Sequence, residues 1–355
     1  MITVFCKNCL DMSTPLPGLL TRSALDPHQV IAEGSFGRVF DSIDRSGASC
    51  VVKQLDIESP SGKQRAEREV TMLAAVSHLS NVPRFIEARI EGSRLNIAMS
   101  KEQGIPLKEY VLRCPLGFEH RVTLAYDILR TLCQSLHDLS SLCCHRDLTS
   151  HNILVEIDPI SHTLRSACIV DFGLAIEKNS WWLYQWRTAP VGGDARYWPS
   201  CAWRMFLNGW KDVSETPFGE EQYKDKLDMH SFALTLLEVV VGVHVEDSTN
   251  SAVSELHVQF HKYFNDATTF ANLFVHCFRS KGDWAETRST LRRLKAIDVT
   301  RTNLTSIKTA LKDLRDFHPL FALLERMICV NEKTVTGSWA YVMGKLNNQS
   351  LRAHY

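Results

Sequence analysis

Residues 145–154 read HRDLTSHNIL, and Asp171-Phe172-Gly173 follows about one hairpin's length later, behind the apolar run Cys168-Ile169-Val170. Asn152 stands five positions after Asp147. Taken alone, Asp-Phe-Gly is a common turn sequence and carries little weight. What decides the reading is agreement among separate elements. An HRD triplet, an asparagine at that spacing and a DFG closing a predicted strand occur together, in this order.

The set resembles the catalytic and metal-binding loops of the eukaryotic protein kinase family. The wording DLTSHN is closest to the tyrosine-kinase-like group of serine/threonine kinases. The resemblance implies an α+β, bilobal fold, with a small β-rich N-lobe carrying one main helix and a larger helical C-lobe. It implies ATP and Mg²⁺ as cofactors and transfer of the γ-phosphate to Ser or Thr hydroxyls of a protein substrate, with Tyr left open. Asp147 is then the base that orients the attacking hydroxyl, and Asn152 and Asp171 are the metal ligands. Arg146 would pair with a phosphate added downstream, on Thr188 ahead of Ser180 or Tyr184. The alternative is a pseudokinase-type scaffold that binds nucleotide with little or no turnover. A small-metabolite acceptor is a third reading, disfavoured by the long segment from Asp171 to Ser200.

Working outward towards the N-terminus, residues 31–39 read IAEGSFGRV, similar to the kinase glycine-rich loop with Ala32 in the first glycine position. Residues without Cβ let backbone N–H groups approach phosphate oxygens. Lys53 in CVVK and Glu69 in the next predicted helix resemble the lysine that contacts the α- and β-phosphates and its acidic partner. By the same resemblance Ile31, Gly34, Gly37, Val39, Met99, Lys101 and Leu154 bind the nucleotide, Val39 and Leu154 on the two faces of the adenine. Met99 falls at the gatekeeper position. Val51 stands where the family usually has alanine.

Hydrophobic periodicity organises the rest. Strands are predicted around Ile31, Val39-Phe40, Cys50 to Lys53 and Arg94 to Met99, and a helix over Gly62–Leu79 with Ala66, Val70, Leu73 and Ala74 on one face. Gly104-Ile105-Pro106 breaks the pattern, and from there the chain is mostly helical, including Arg121–Leu139 and Leu227–Val241. We therefore expect an N-terminal extension over 1–28 and a kinase domain over 29–345, with N-lobe 29–103 and C-lobe 104–345. Residues 346–355 are expected as a tail.

Further departures from the family pattern cluster on the acceptor side. A lysine two residues after the base and a threonine further on are replaced by Thr149 and Gly193. The closing Ala-Pro-Glu becomes Trp198-Pro199-Ser200, and the arginine that would pair with its glutamate is missing from Glu332-Lys333-Thr334-Val335-Thr336. Loss of one partner would strand a buried charge at about 3–5 kcal/mol, whereas loss of both is close to neutral, which points to a rebuilt anchor. Trp181, Trp182, Trp186, Trp198, Trp203 and Trp210, six of the chain's 8 tryptophans, supply candidate packing for it. Asp228 resembles the aspartate that supports the catalytic-loop backbone, on a helix apolar nearly all round. The helical region over about 245–318 is longer than family proportions suggest. Basic residues on its helices at 288–315 make a candidate docking surface for an acidic partner.

Composition narrows the function classes. The 355 residues carry 40 Lys plus Arg against 40 Asp plus Glu, so overall charge gives no reason to infer nucleic-acid or membrane-surface binding. Phe232–Val245, the most apolar run, is interrupted by Thr235, Glu238 and His244 and is too short to span a bilayer. Eleven cysteines with no signal-like N-terminal segment fit a reducing compartment, the cytoplasm or the nucleus. Cys6 and Cys9 lack a second ligand pair nearby for a zinc site.

Overall fold

The computed structural model describes residues 30–34, 37–44, 46–113, 116–242, 250–330 and 338–352. The expected extension over 1–28, Cys6 and Cys9, the tip of the glycine-rich turn at 35–36 and the segment 332–336 lie outside the described residues. The described chain up to His78 with Pro83–Glu102 forms one unit; Leu79–Val82 with the chain from Gln103 forms another.

The first unit is an antiparallel sheet in the order β1-β2-β3-β5-β4, built from β1 (Val30–Gly34), β2 (Gly37–Ile43), β3 (Ser49–Asp56), β4 (Phe85–Glu91) and β5 (Arg94–Ser100). β3 pairs along both edges and buries Cys50, Val52 and Leu55. The β2–β3 turn closes on Asp44, whose Oδ1 accepts the N–H groups of Ser46 and Ala48 at 2.8 and 2.9 Å. β4, FIEARIE, is absent from the sequence prediction, because this edge strand leaves every residue at least partly exposed and so lacks an alternating apolar face. The helix expected over 62–79 is α1 (Pro60–Val76). It starts earlier because Ser59 Oγ accepts the Gly62 N–H at 3.0 Å, capping the helix with Pro60 in its first turn.

The second unit starts with β6 (Ile105–Pro106), α2 (Leu107–Arg113), α3 (Phe118–Leu142) and β7 (Cys143–Cys144). The hairpin β8 (Ile153–Ile157) and β9 (Leu164–Ile169) joins β6 in a three-stranded sheet, and β10 (Ile176–Glu177) pairs with β7. Short helical turns follow: α4 (Lys178–Ser180), a π-helical turn Trp181–Gln185, α5 (Trp186–Thr188) and a 3-10 turn Ala195–Tyr197. Then come α6 (Ser200–Asn208), α7 (Trp210–Glu215), α8 (Gly219–Asp225) and α9 (Leu227–Val241). All of α9 except Asp228 is buried, as its near-continuous apolar sequence requires.

The enlarged helical region consists of α10 (Ser251–Ser280), α11 (Trp284–Arg293) and α12 (Ala296–Asp313), followed by α13 (Pro319–Met327) and α14 (Trp339–Arg352). Residue 346 does not begin a tail: α14 continues to Arg352, because Trp339, Val342 and Leu346 repeat at helical spacing and are buried. No helix among the described residues is long and apolar enough to cross a membrane.

Candidate active site

In the first unit, Lys53 lies on β3 opposite Val39 of β2 and Ile97 of β5, and Val51 lies opposite Met99. Directly paired residues of antiparallel strands share a face, so Val39, Val51, Lys53 and Met99 lie on one side of the sheet. Lys53 Nζ is 2.6 Å from Glu69 Oε1 of α1, and both residues are buried. Removing Glu69 takes this close partner from the buried Lys53 ammonium, so Glu69→Ala is expected to destabilise the protein by up to about 3–5 kcal/mol. A wild-type urea midpoint in that variant would show that the pair does not hold the unit together. Gly37 must lack a side chain, since a Cβ there would sit 2.4 Å from the Gln54 carbonyl oxygen. Gly34 pairs with Gly37 at the turn end of the hairpin, Ile31 is 49% exposed, and the Lys101 ammonium is 2.6 Å from Asp41 Oδ1.

In the second unit, Asp228 at the start of α9 accepts the N–H groups of His145 and Arg146, each at 2.7 Å. This matters because Arg146 is held at φ 67° and Asp171 at φ 65°, left-handed backbone that costs a residue with a Cβ about 1–2 kcal/mol. His145 is fully buried against the Phe172 ring, with centroids 4.9 Å apart, and burial pushes its imidazole below the usual histidine range.

Asn152 Nδ2 donates to both Asp147 Oδ2 (2.8 Å) and the Asp147 carbonyl (2.9 Å), and the Val170 N–H donates to the Asn152 carbonyl at 3.0 Å. The other carboxylate oxygen of Asp147 accepts the Asp194 N–H at 3.0 Å. Burial, together with the nearby charges of Asp171 and Asp194, raises the Asp147 carboxyl to about 6, against the pull of its two donors. Asp171 is exposed, and its Oδ1 accepts the Gly173 N–H at 3.1 Å. Leu154 lies on β8, half-buried, opposite Cys168.

The family model described as the protein kinase domain matches residues 25–333. The chain belongs to the protein kinase domain family. Among its relatives are LIM domain kinase 1 of Drosophila melanogaster, 29% identical over 61% of this chain and 18% of the relative, and a G-type lectin S-receptor-like serine/threonine-protein kinase of Arabidopsis thaliana, 27% identical over 60% and 24%. A further Arabidopsis serine/threonine-protein kinase is 25% identical over 81% of this chain and 56% of its own length. The chain thus spans less than two thirds of each, and about a fifth of the first matched relatives.

The kinase domain rebuilds the region around its altered closing motif with aromatic rings. Trp198 and Trp203 stack edge to face at 4.9 Å, Phe270 and Phe274 of α10 pack on them at 5.8 and 5.3 Å, and Arg292 of α11 donates to the Leu207 carbonyl at the end of α6. Trp181 and Trp186 are also fully buried, whereas Trp182 and Trp210 are 45% and 39% exposed and do not belong to the core. Lys224 Nζ lies 3.8 Å from the Trp182 ring centroid, and Arg187 lies between the Trp186 and Trp210 rings.

The Arg146 guanidinium is buried: its Nε donates to the Leu174 carbonyl at 2.8 Å and Nη1 to the Pro190 carbonyl at 3.0 Å, with the Trp181 ring 5.6 Å away. The candidate phosphosites look elsewhere. Thr188 is exposed, with its hydroxyl 3.5 Å from the Tyr184 carbonyl, and the Ser180 N–H bonds Glu177.

Sequence reasoning also missed Glu238, which accepts from Ser150 Oγ at 2.6 Å and Tyr197 OH at 2.7 Å and pairs with Lys108. The available signal was an acid inside an otherwise apolar helix, where a buried carboxylate requires partners.

The donor set can be tested against Mg²⁺. Among the described residues there is no group of three or more His, Cys, Asp or Glu side chains placed to hold a metal. With Nδ2 committed to Asp147, Asn152 has its amide oxygen left for a cation, and Asp171 adds an exposed carboxylate. Two hard oxygen ligands fit Mg²⁺, which keeps several waters and takes its other ligands from substrate phosphates.

Proposed function

We propose that this domain is an ATP- and Mg²⁺-dependent protein kinase acting on serine or threonine hydroxyls. The observation that carries the proposal is the setting of the Asp147 carboxylate. Asn152 Nδ2 donates to one of its oxygens and the Asp194 N–H to the other, on a loop whose backbone is held by Asp228.

In this reading Asp147 accepts the proton of the attacking hydroxyl, and the two donors on its oxygens fix the direction in which it does so. Asn152 and Asp171 would hold Mg²⁺, which would supply charge neutralisation for the phosphates. Lys53, kept in place by Glu69, neutralises the α- and β-phosphates. By the family resemblance Ile31, Gly34, Gly37, Val39, Met99, Lys101 and Leu154 are assigned to the nucleotide. Arg146 organises the segment after DFG through the Leu174 and Pro190 carbonyls.

Intact mass of the protein incubated with ATP and Mg²⁺, beside an Asp171→Asn control, tests the proposal. Phosphate gained on serine or threonine by the wild type alone is the expected result. Nucleotide binding with unchanged mass replaces the proposal with the pseudokinase reading.

Two finer assignments accompany it. The 8 described cysteines, free and buried, support a reducing compartment, cytoplasm or nucleus, to be checked by imaging a tagged chain in cells. Lys308 is buried and Arg292, though exposed, donates to the Leu207 carbonyl; Arg293, Lys295 and Lys312 are exposed and are assigned to a surface for an acidic docking partner. Reversing these three to Glu should abolish binding of an acidic peptide, and retained binding removes that assignment.

A further inference from the structure

We propose that α10 is a strut for the catalytic carboxylate: Tyr263 and Phe264 hold the 3-10 turn at 195–197 so that the Asp194 N–H orients Asp147. The proposal rests on the kinase reading and supplies what stands in for the family's absent lysine and threonine.

The replacement donor belongs to the main chain. The Asp194 N–H donates to Asp147 Oδ1 at 3.0 Å, and it can do so only while its segment runs hard against the catalytic loop. Gly193 marks how close that approach is. It has φ 85°, and a Cβ on it would lie 2.1 Å from the Arg146 carbonyl oxygen. A backbone donor has no rotamer with which to correct an error, so its accuracy is that of the segment carrying it.

The segment is fastened from both ends. Asp194 caps the 3-10 turn by accepting the Arg196 N–H at 3.0 Å, and its carboxylate also accepts from Arg196 Nε at 3.0 and 2.9 Å. From α10, the Tyr263 hydroxyl donates to the Arg196 carbonyl at 2.7 Å. The next residue, Phe264, lies 5.5 Å from the Arg196 guanidinium and edge to face with Tyr197 at 6.0 Å. From α9, Ser231 Oγ donates to the Tyr197 carbonyl at 3.3 Å, and Glu238 takes the Tyr197 hydroxyl.

Tyr263 is 1% exposed, so its hydroxyl is placed for this one carbonyl and not for solvent. A buried hydroxyl without a partner is costly, which makes the bond a strong constraint on where the turn can sit. α10 is itself anchored: Asn303 of α12 donates to Asp266 at 2.8 Å, and Phe270 and Phe274 sit in the aromatic cluster around Trp198 and Trp203. Tyr263 and Phe264 are positioning residues. They act on Asp147 through the turn and touch no reacting atom.

Tyr263→Phe keeps the ring and deletes the single bond. With a peptide acceptor, kcat is expected to fall about 10-fold or more, since small misplacements of a reacting group cost that much. KM for ATP should stay at the wild-type value, and hydrogen exchange over 193–197 should speed up. Gly193→Ala, which pushes the turn off the loop, should give the same pattern. Val258→Ala, on the exposed side of α10, should leave all three measurements unchanged. Wild-type kcat or wild-type exchange in Tyr263→Phe overturns the strut. A wild-type protein that transfers no phosphate, yet shows the exchange difference on substitution, overturns the kinase reading and leaves the strut standing.

Discussion

Asp147→Asn is expected to lower phosphate transfer by about 10²–10⁴-fold and, at neutral pH, to make the protein more stable. The first effect follows from losing the proton acceptor. The second follows from its environment: burial, then the charges of Asp171 and Asp194, lift the carboxyl from 3.8 to about 6. At pH 7 the side chain is ionised in both folded and unfolded chains, and the folded state bears the penalty. A tenfold change in the ionisation equilibrium corresponds to about 1.4 kcal/mol, so the charge costs the fold up to about 3 kcal/mol. Asn removes the charge but faces the Asn152 Nδ2 donor with an amide, so the net gain should be about 1–3 kcal/mol.

The sign also sets a pH dependence. Because the folded-state value is raised, the wild type takes up its proton on folding between about pH 6 and 4, and the penalty disappears as pH falls through that window. The stability difference between variant and wild type should therefore shrink over the same range. Urea midpoints at pH 7.5, 6 and 5 measure it. A variant no more stable than wild type at pH 7.5 would show that the fold pays nothing for its ionised base.

Asp228→Ala should unfold or inactivate the domain most directly. Its carboxylate receives two buried backbone N–H groups at 2.7 Å, and each one left without a partner costs about 1–3 kcal/mol. Arg146 depends on the same contact to stay at φ 67°. A loss of about 3–5 kcal/mol is expected, with transfer abolished even where the chain remains folded. Asp228→Asn, which keeps one acceptor oxygen, should fall between the two. An alanine variant with wild-type stability and activity would mean that the loop holds its strained backbone without help from α9.

Family and fold class were legible because they rest on local signals. HRD, Asn152 and DFG are short and ordered, and the apolar faces of α1, α3 and α9 repeat at helical spacing within single segments. The aromatic rebuilding near Trp198 was legible in kind, since six tryptophans in one window need somewhere to pack. Which of them pack was not. Trp182 and Trp210 carry the same side chain as Trp181 and Trp186, and only the placement of neighbouring elements leaves them half exposed. β4 escaped because pairing with β5 creates it, without an alternating apolar pattern of its own.

The sequence by itself determined the kinase membership, the strand-rich first part and helical remainder, and the identity of the motif residues, because spacing and periodicity act within a few turns of chain. Only the tertiary structure decided what surrounds them. The donor to Asp147 comes from 47 residues away and the brace on its turn from a further 67, and neither a backbone N–H nor a carbonyl leaves any mark in a sequence. Such contacts exist because packing brings distant segments together and buried polar groups must then find partners.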